Sequence, residues 1–146
     1  MKNPPDGYQG IIPYLLYKDA NAALAFLDSA FGLTERMRMP GEGGEVQHAE
    51  VELNGNVVML ASVSAAQRAS DGGEVPGQAS MMVCYVDDVD AHFERAKAAG
   101  AEILKEPEDQ FYGDRTYNAR DPEGHAWNFH THVKDVAPED MHPPTE

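Results

Sequence analysis

Two short stretches carry most of the side chains able to do chemistry. In Val46–Leu53, His48 and Glu50 alternate with Ala49, Val51 and Leu53. In residues 126–133, Asn128, His130 and His132 alternate with Trp127 and Phe129. Side chains alternate across a strand, so each stretch, if extended, sends its polar set one way and its apolar set the other. A carboxylate held against apolar surface has its pKa raised toward neutrality and becomes a usable general base. Glu50, alone or paired with His48, is therefore the candidate catalytic base. His48, Glu50 and His130 are also metal-ligating types, which keeps a divalent metal open as a cofactor. The same His48 and Glu50 equally suit a solvated, hydrogen-bonded pair on the open face of an antiparallel sheet.

The remaining polar residues carry weaker signals. His92 sits among charges on a helical stretch and reads as solvated. His125 falls in a turn and reads as structural, and His142 lies in the tail. Asp114 and Arg115 suit a surface ion pair of small energetic value. Cys84 alternates onto the apolar side of its strand and reads as a small buried hydrophobe. The sequence holds no G-x-S-x-G nucleophile motif, phosphate loop or dinucleotide fingerprint.

The elements that must position these residues repeat at an offset of about 69 residues, as Gly55 to Gly124 and Met59 to Asn128 show. Each half opens on an apolar run of strand length, residues 11–17 and 81–86. An aspartate follows as a helix N-cap, Asp19 in one half and Asp87 or Asp88 in the other. The helix after each ends at a glycine, Gly32 or Gly100, suited to the left-handed position past a helix end. Three strand-like stretches come next: 34–39, 46–53 and 57–62, then 101–106, 115–120 and 126–133. A turn precedes each last strand, Asn54-Gly55 or Asp121-Pro122-Glu123-Gly124. The order is βαβββ twice, with module 9–62, a linker over 63–78, module 79–134 and an acidic tail over 135–146. One helical turn is expected at 138–141 in that tail.

The stretch YGDRTYNARDPEGHAW (residues 112–127), with PYLLYKDANAALAFLDSAFG and YVDDVDAHFERAKAAGA, resembles the vicinal-oxygen-chelate superfamily, in its glyoxalase/bleomycin-resistance-like (PhnB-like) branch. The resemblance spans about residues 9–134. It implies an α+β fold in which two βαβββ modules form a curved mixed sheet around a central cleft, helices on the convex side. It also implies a homodimer. Catalytic members place four His, Glu or Gln ligands on the first and last strands of each module, where a divalent metal polarises a carbonyl or stabilises an enediolate. Carried over, those positions are Ile12, Met59, Met81 and Asn128. Ile12 has no donor atom, and the thioethers of Met59 and Met81 suit soft ions only. The usual metal site is therefore expected to be missing, and no cofactor is predicted.

Under this resemblance the cleft wall is expected to hold Tyr14, Tyr85, Tyr117, Met59 and Met81 for apolar contact. His48, Glu50, Asn128, His130 and Arg115 are expected to supply polar contact. Placed polar groups in an apolar concavity suit a small molecule, although Met and Tyr at these positions also suit core packing. Two classes of function remain: a binding protein that sequesters a cationic or aromatic ligand such as an antibiotic, and an enzyme, either metal-dependent with displaced ligands or metal-free through Glu50 and His48.

The bulk composition narrows the partners. A formal net charge of −14 repels nucleic-acid backbones and anionic lipid and is compatible with a cationic ligand. No apolar run is long enough to span a membrane, and the first residues lack the apolar core of a secretory signal. The single cysteine forms no internal disulfide, as expected of a cytoplasmic protein.

Overall fold

The computed structural model describes residues 4–69 and 81–143. The chain divides into two compact units, residues 1–79 and 80–146. Each contains one four-stranded mixed sheet with a helix against it. The first unit runs β1 (Tyr14–Tyr17), α1 (Ala20–Phe31), β2 (Thr34–Pro40), β3 (Val46–Leu53), β4 (Asn56–Ser62) and α2 (Val63–Ala69). The second runs β5 (Met81–Tyr85), α3 (Val89–Ala98), β6 (Glu102–Asp109), β7 (Asp114–Arg120) and β8 (Ala126–His132), with a 3-10 turn at Pro138–Asp140. The sheet orders are β1-β4-β3-β2 and β5-β8-β7-β6, the same path twice. In each, the first strand pairs in parallel with the last and the other pairings are antiparallel.

In the first unit the Asp19 side chain accepts from the Ala22 amide at 3.0 Å and starts α1. Gly32, at φ 76°, ends it, and the amides of Gly32 and Leu33 satisfy the last carbonyls at Asp28 and Leu27. Ala23, Leu24, Leu27, Ala30 and Phe31 are buried along one side of the helix. The matching sheet face holds Leu15 and Tyr17 of β1, Ala49 and Val51 of β3, and Val58 and Leu60 of β4, all buried and in register. Asn54 and Gly55, at φ 50° and 82°, close the β3–β4 hairpin as the two left-handed central residues of a tight turn. Residues 63–69, expected to be linker, form α2 instead, with Ala65 buried against the sheet. The run reads as linker because its residues are small and polar, but Ala, Gln and Arg are good helix formers. Residues 70–78 lie outside the described residues.

In the second unit Asp88, not Asp87, caps α3 by accepting from the Ala91 amide at 3.1 Å. Val89, Phe93 and Ala96 are buried beneath it. The facing strands supply Trp127 and Phe129 of β8 and Tyr117 and Ala119 of β7, each with no exposed surface. The turn before β8 is held by buried Asp121. One of its carboxylate oxygens accepts from the Glu123 and His125 amides at 3.1 Å each, and the other from the Trp127 indole at 3.2 Å. That arrangement explains the spacing of Asp121, Gly124 and Trp127: the carboxylate ties the turn to the largest core side chain. His92, expected to be solvated, instead bonds the Tyr117 hydroxyl through Nδ1 and packs 4.2 Å from the Phe129 ring centroid.

Candidate functional site

Each sheet has a second face, turned away from α1 or α3, and the chemistry collects there. In the first unit the register sets Tyr14 beside Met59 and Met59 beside Glu50, a row across β1, β4 and β3. Met37 and Met39 of β2 sit opposite Glu50 and His48 on that face and are exposed, as is Tyr14. Glu50 is buried. Its carboxylate accepts from the Tyr8 hydroxyl at 2.8 Å, contacts His48 Nε2 at 3.0 Å and lies 3.8 Å from the Arg36 guanidinium. His48 Nδ1 meets the Tyr14 hydroxyl at 2.9 Å, and Arg36 stacks 4.8 Å from the Tyr8 ring centroid.

Three side chains therefore bear on one carboxylate, and they decide its acidity. Burial alone would push the Glu50 carboxyl up. Hydrogen bonds from His48 and Tyr8, with the charges of His48 and Arg36, outweigh it and hold the group below the usual carboxylate range. This reverses the expectation of a raised, base-competent Glu50: the side chain is an ionised hydrogen-bond acceptor. The groups that lower it come from β3 (His48), from β2 (Arg36) and from the segment ahead of β1 (Tyr8). Gln9 in that segment brackets Val57, donating to its carbonyl at 2.6 Å and accepting from its amide at 2.9 Å.

The second unit repeats the theme with different residues. Tyr85, His130, His132 and Asp114 lie on the face away from α3. Asp114 is buried, and three side chains converge on it. The Tyr85 hydroxyl donates to Oδ2 at 2.7 Å, His130 Nδ1 meets the same oxygen at 2.9 Å, and His132 Nδ1 meets Oδ1 at 2.7 Å. His132 Nε2 reaches Asp135 at 2.7 Å. An imidazole with both nitrogens on carboxylates donates from both, so His132 is the charged link between Asp114 and the tail. Its pKa is raised by the bonds to Asp135 and Asp114. Burial would raise the Asp114 carboxyl too, but the bonds from His130, His132 and Tyr85 hold it below its ordinary value. The His130 ring lies 5.3 Å from Tyr85 and 6.2 Å from Tyr112. Met81, Val83 and Tyr85 of β5 are exposed along this face.

Eight of the ten expected ligand-binding residues thus stand on the faces away from α1 and α3. Tyr14, His48, Glu50 and Met59 stand on the first unit's face, and Met81, Tyr85, Asn128 and His130 on the second's. Two do not. Tyr117 has no exposed surface and stacks 5.2 Å from Phe129 beneath α3, and burial pushes its hydroxyl pKa far above the ordinary value. Arg115 shares that side of β7 and pairs with Asp90 of α3 and Asp109 of β6 at 3.0 and 3.1 Å, not with Asp114. The error is one of parity. Placing Tyr117 with its aromatic partner Phe129 puts Arg115 on the helix side and Asp114 and Thr116 on the polar side, opposite His132 and His130. Sequence reasoning also missed Tyr8, Arg36 and Tyr112. Asp114 was readable from strand parity; Tyr8 lies ahead of the first strand, where no periodicity marks it.

The residues present do not fit the metal site that the fold type implies. Ile12 precedes β1 and brings no donor, Met59 and Met81 bring thioethers, and Asn128 brings one amide oxygen. Of the displaced alternatives, His48 and Glu50 are bonded to each other in the first unit and His130 is bonded to Asp114 in the second. Among the described residues no three His, Cys, Asp or Glu side chains form a set able to hold a metal ion. Cys84 is not a reactive thiolate, since burial pushes its thiol up to about 11. A cavity of about 370 Å³ opens elsewhere in the first unit, lined by Gly32, Thr34, Glu35, Arg36, Glu52, Leu53 and Asn54; it has no aromatic wall. No helix among the described residues is long and apolar enough to cross a membrane.

Comparison with known proteins agrees with this architecture. An uncharacterized protein of Mycobacterium bovis is 37% identical over 128 residues, covering 85% of this chain and 84% of the relative. TioX from Micromonospora sp. ML1 is 31% identical with a TM-score of 0.68, covering 84% of this chain and 98% of that one. A lactoylglutathione lyase from Agrobacterium tumefaciens shares the fold at 24% identity and a TM-score of 0.63, covering 88% of this chain and 96% of that one. The model of the Glyoxalase/Bleomycin resistance protein/Dioxygenase superfamily matches residues 11–129, and the chain belongs to that superfamily.

Proposed function

We propose that the protein is a metal-independent binder of small organic molecules that sequesters a cationic, aromatic ligand on an open sheet face. One observation carries the reading: on each sheet, a buried carboxylate held ionised stands beside an exposed tyrosine, joined on the first sheet by exposed thioethers. The pairs are Glu50 with Tyr14, Met37 and Met39, and Asp114 with Tyr85. Exposed rings and thioethers offer a planar ligand stacking and dispersion contact, and a fixed negative charge beside them favours a cation. The metal-ligand positions carry residues that cannot support carbonyl polarisation, so retention, not turnover, is the activity these faces serve. We further propose a cytoplasmic homodimer, the reading that the resemblance and the lone cysteine suggest.

Binding of planar dyes tests this. A cationic acridine is expected to bind the full-length protein and to lose affinity by roughly tenfold, about 1.4 kcal/mol, in Tyr85→Ala or Tyr14→Ala. An acridine carboxylate is expected to bind far more weakly. Equal binding of cation and anion, or binding unchanged in both variants, removes the reading.

A further inference from the structure

The second unit's open face carries two buried acceptors without a partner. His130 Nε2 and Asn128 Oδ1 are each inaccessible and unbonded. The His130 side chain is only 8% exposed. Its other nitrogen is committed: Nδ1 faces the Asp114 carboxylate, which only accepts, so Nδ1 carries a proton, and in the Nδ1–H tautomer Nε2 presents a lone pair. Burying an acceptor with no donor is unfavourable, so two on one strand call for a donor that meets both. Asn128 and His130 are two residues apart on β8 and share a face, which separates their Cα atoms by roughly 6–7 Å.

We infer that this pair, uncovered when the side chains over it shift, is the recognition point for a planar nitrogen cation, an amidinium or guanidinium, which donates one N–H to His130 Nε2 and another to Asn128 Oδ1. Three features select that class. Both protein atoms are acceptors, so the ligand must be a donor at both ends. The flanking rings of Tyr85 and Tyr112 offer faces to a flat cation. Asp114, ionised behind His130, supplies the opposite charge through the imidazole. A flat head with two N–H groups on adjacent nitrogens reaches two acceptors several ångströms apart through hydrogen bonds of about 2.9 Å each. The inference rests on the binding reading above and narrows it to one sheet and one head group.

Benzamidine is the probe, with benzamide and benzoate as its neutral and anionic counterparts. The test is histidine-ring nitrogen NMR together with calorimetry on the full-length protein. In the free protein His130 is expected as the Nδ1–H tautomer. Benzamidine is expected to move its Nε2 resonance and to bind at least about tenfold more tightly than benzamide, with benzoate weakest. Asn128→Leu and His130→Phe are each expected to weaken benzamidine by about tenfold or more, while His142→Ala leaves it unchanged. Asn128→Leu keeps the test decisive if His130→Phe fails to fold. Three results overturn the inference: an Nε2–H tautomer in the free protein, an Nε2 resonance unmoved at saturating benzamidine (which leaves a buried water as the donor), or binding indifferent to Asn128→Leu. If cationic acridines bind while benzamidine does not, the subsite falls and the wider binding reading stands.

Discussion

At the residue scale the second unit turns on Asp114, which three side chains share. Replacing it leaves His130, His132 and the Tyr85 hydroxyl without their common acceptor. Asp114→Ala is therefore expected to cost about 1–3 kcal/mol, chiefly for the buried His130 that loses its acceptor, measured by urea unfolding near neutral pH. The pH dependence has a definite sign. Asp114 and Glu50 have folded pKa values below their unfolded ones, so their contribution is fully present above the unfolded carboxylate range. It is lost as pH falls through the folded values. His132 is opposite: its folded pKa lies above the unfolded one, so its contribution is full below the unfolded value and disappears as pH rises through the raised one. Unfolding midpoints taken from acid to mildly alkaline pH are expected to fall at both ends. His132→Asn is expected to flatten the alkaline side and, by removing one of the bonds that lower Asp114, to weaken the acid side in part; a variant that leaves the alkaline limb unchanged would show that the link between Asp114 and Asp135 contributes nothing.

At the element scale, two turns hold the second sheet in place. Asp121 joins its own turn to the Trp127 indole, so Asp121→Ala removes the acceptor that two amides and the indole N–H share. A loss of about 1–3 kcal/mol is expected from calorimetric unfolding, below the 3–5 kcal/mol that Trp127→Ala is expected to remove through the cavity it leaves. Gly113 stands at φ 100°, and a Cβ there would lie 2.1 Å from the Lys134 carbonyl oxygen. Since the Gly113 carbonyl also accepts from the Val133 and Lys134 amides, Gly113→Ala is expected to detach the start of the tail. Faster amide exchange at Val133 and Lys134 would report it.

The elements were largely legible in advance because local rules govern them. Asp19 and Gly32 bracket a helix by capping and left-handed geometry, and Asn54-Gly55 closes a hairpin by its dihedral preferences. The sheet faces turned away from the helices were legible only where alternation is clean. On β8, aromatic and polar residues alternate strictly, and Asn128 and His130 fell on the right side. On β7, Arg115 and Tyr117 gave the opposite parity because a tyrosine reads equally well as lining or as core. Its place beside Phe129 is a fact of strand register. Contacts from outside the periodic elements, such as Tyr8 on Glu50, leave no pattern in the sequence.

At the scale of the whole molecule, the repeated βαβββ order belongs to a superfamily whose name spans lyases, dioxygenases and resistance proteins, so the fold does not choose among them. At the positions that the resemblance assigns to metal ligands this chain carries thioethers, an isoleucine and one amide, and its two buried carboxylates are kept ionised by histidine and tyrosine. The acidic charge of −14 adds long-range attraction for cations, which salt weakens. Titration of a cationic planar aromatic into the full-length protein, before and after exhaustive chelation and then with Ni, Zn, Mn or Fe restored, tests the central claim. The predicted result is one affinity in all three states, reduced by added salt and by Tyr85→Ala. Binding that vanishes on chelation and returns with a metal would contradict the account.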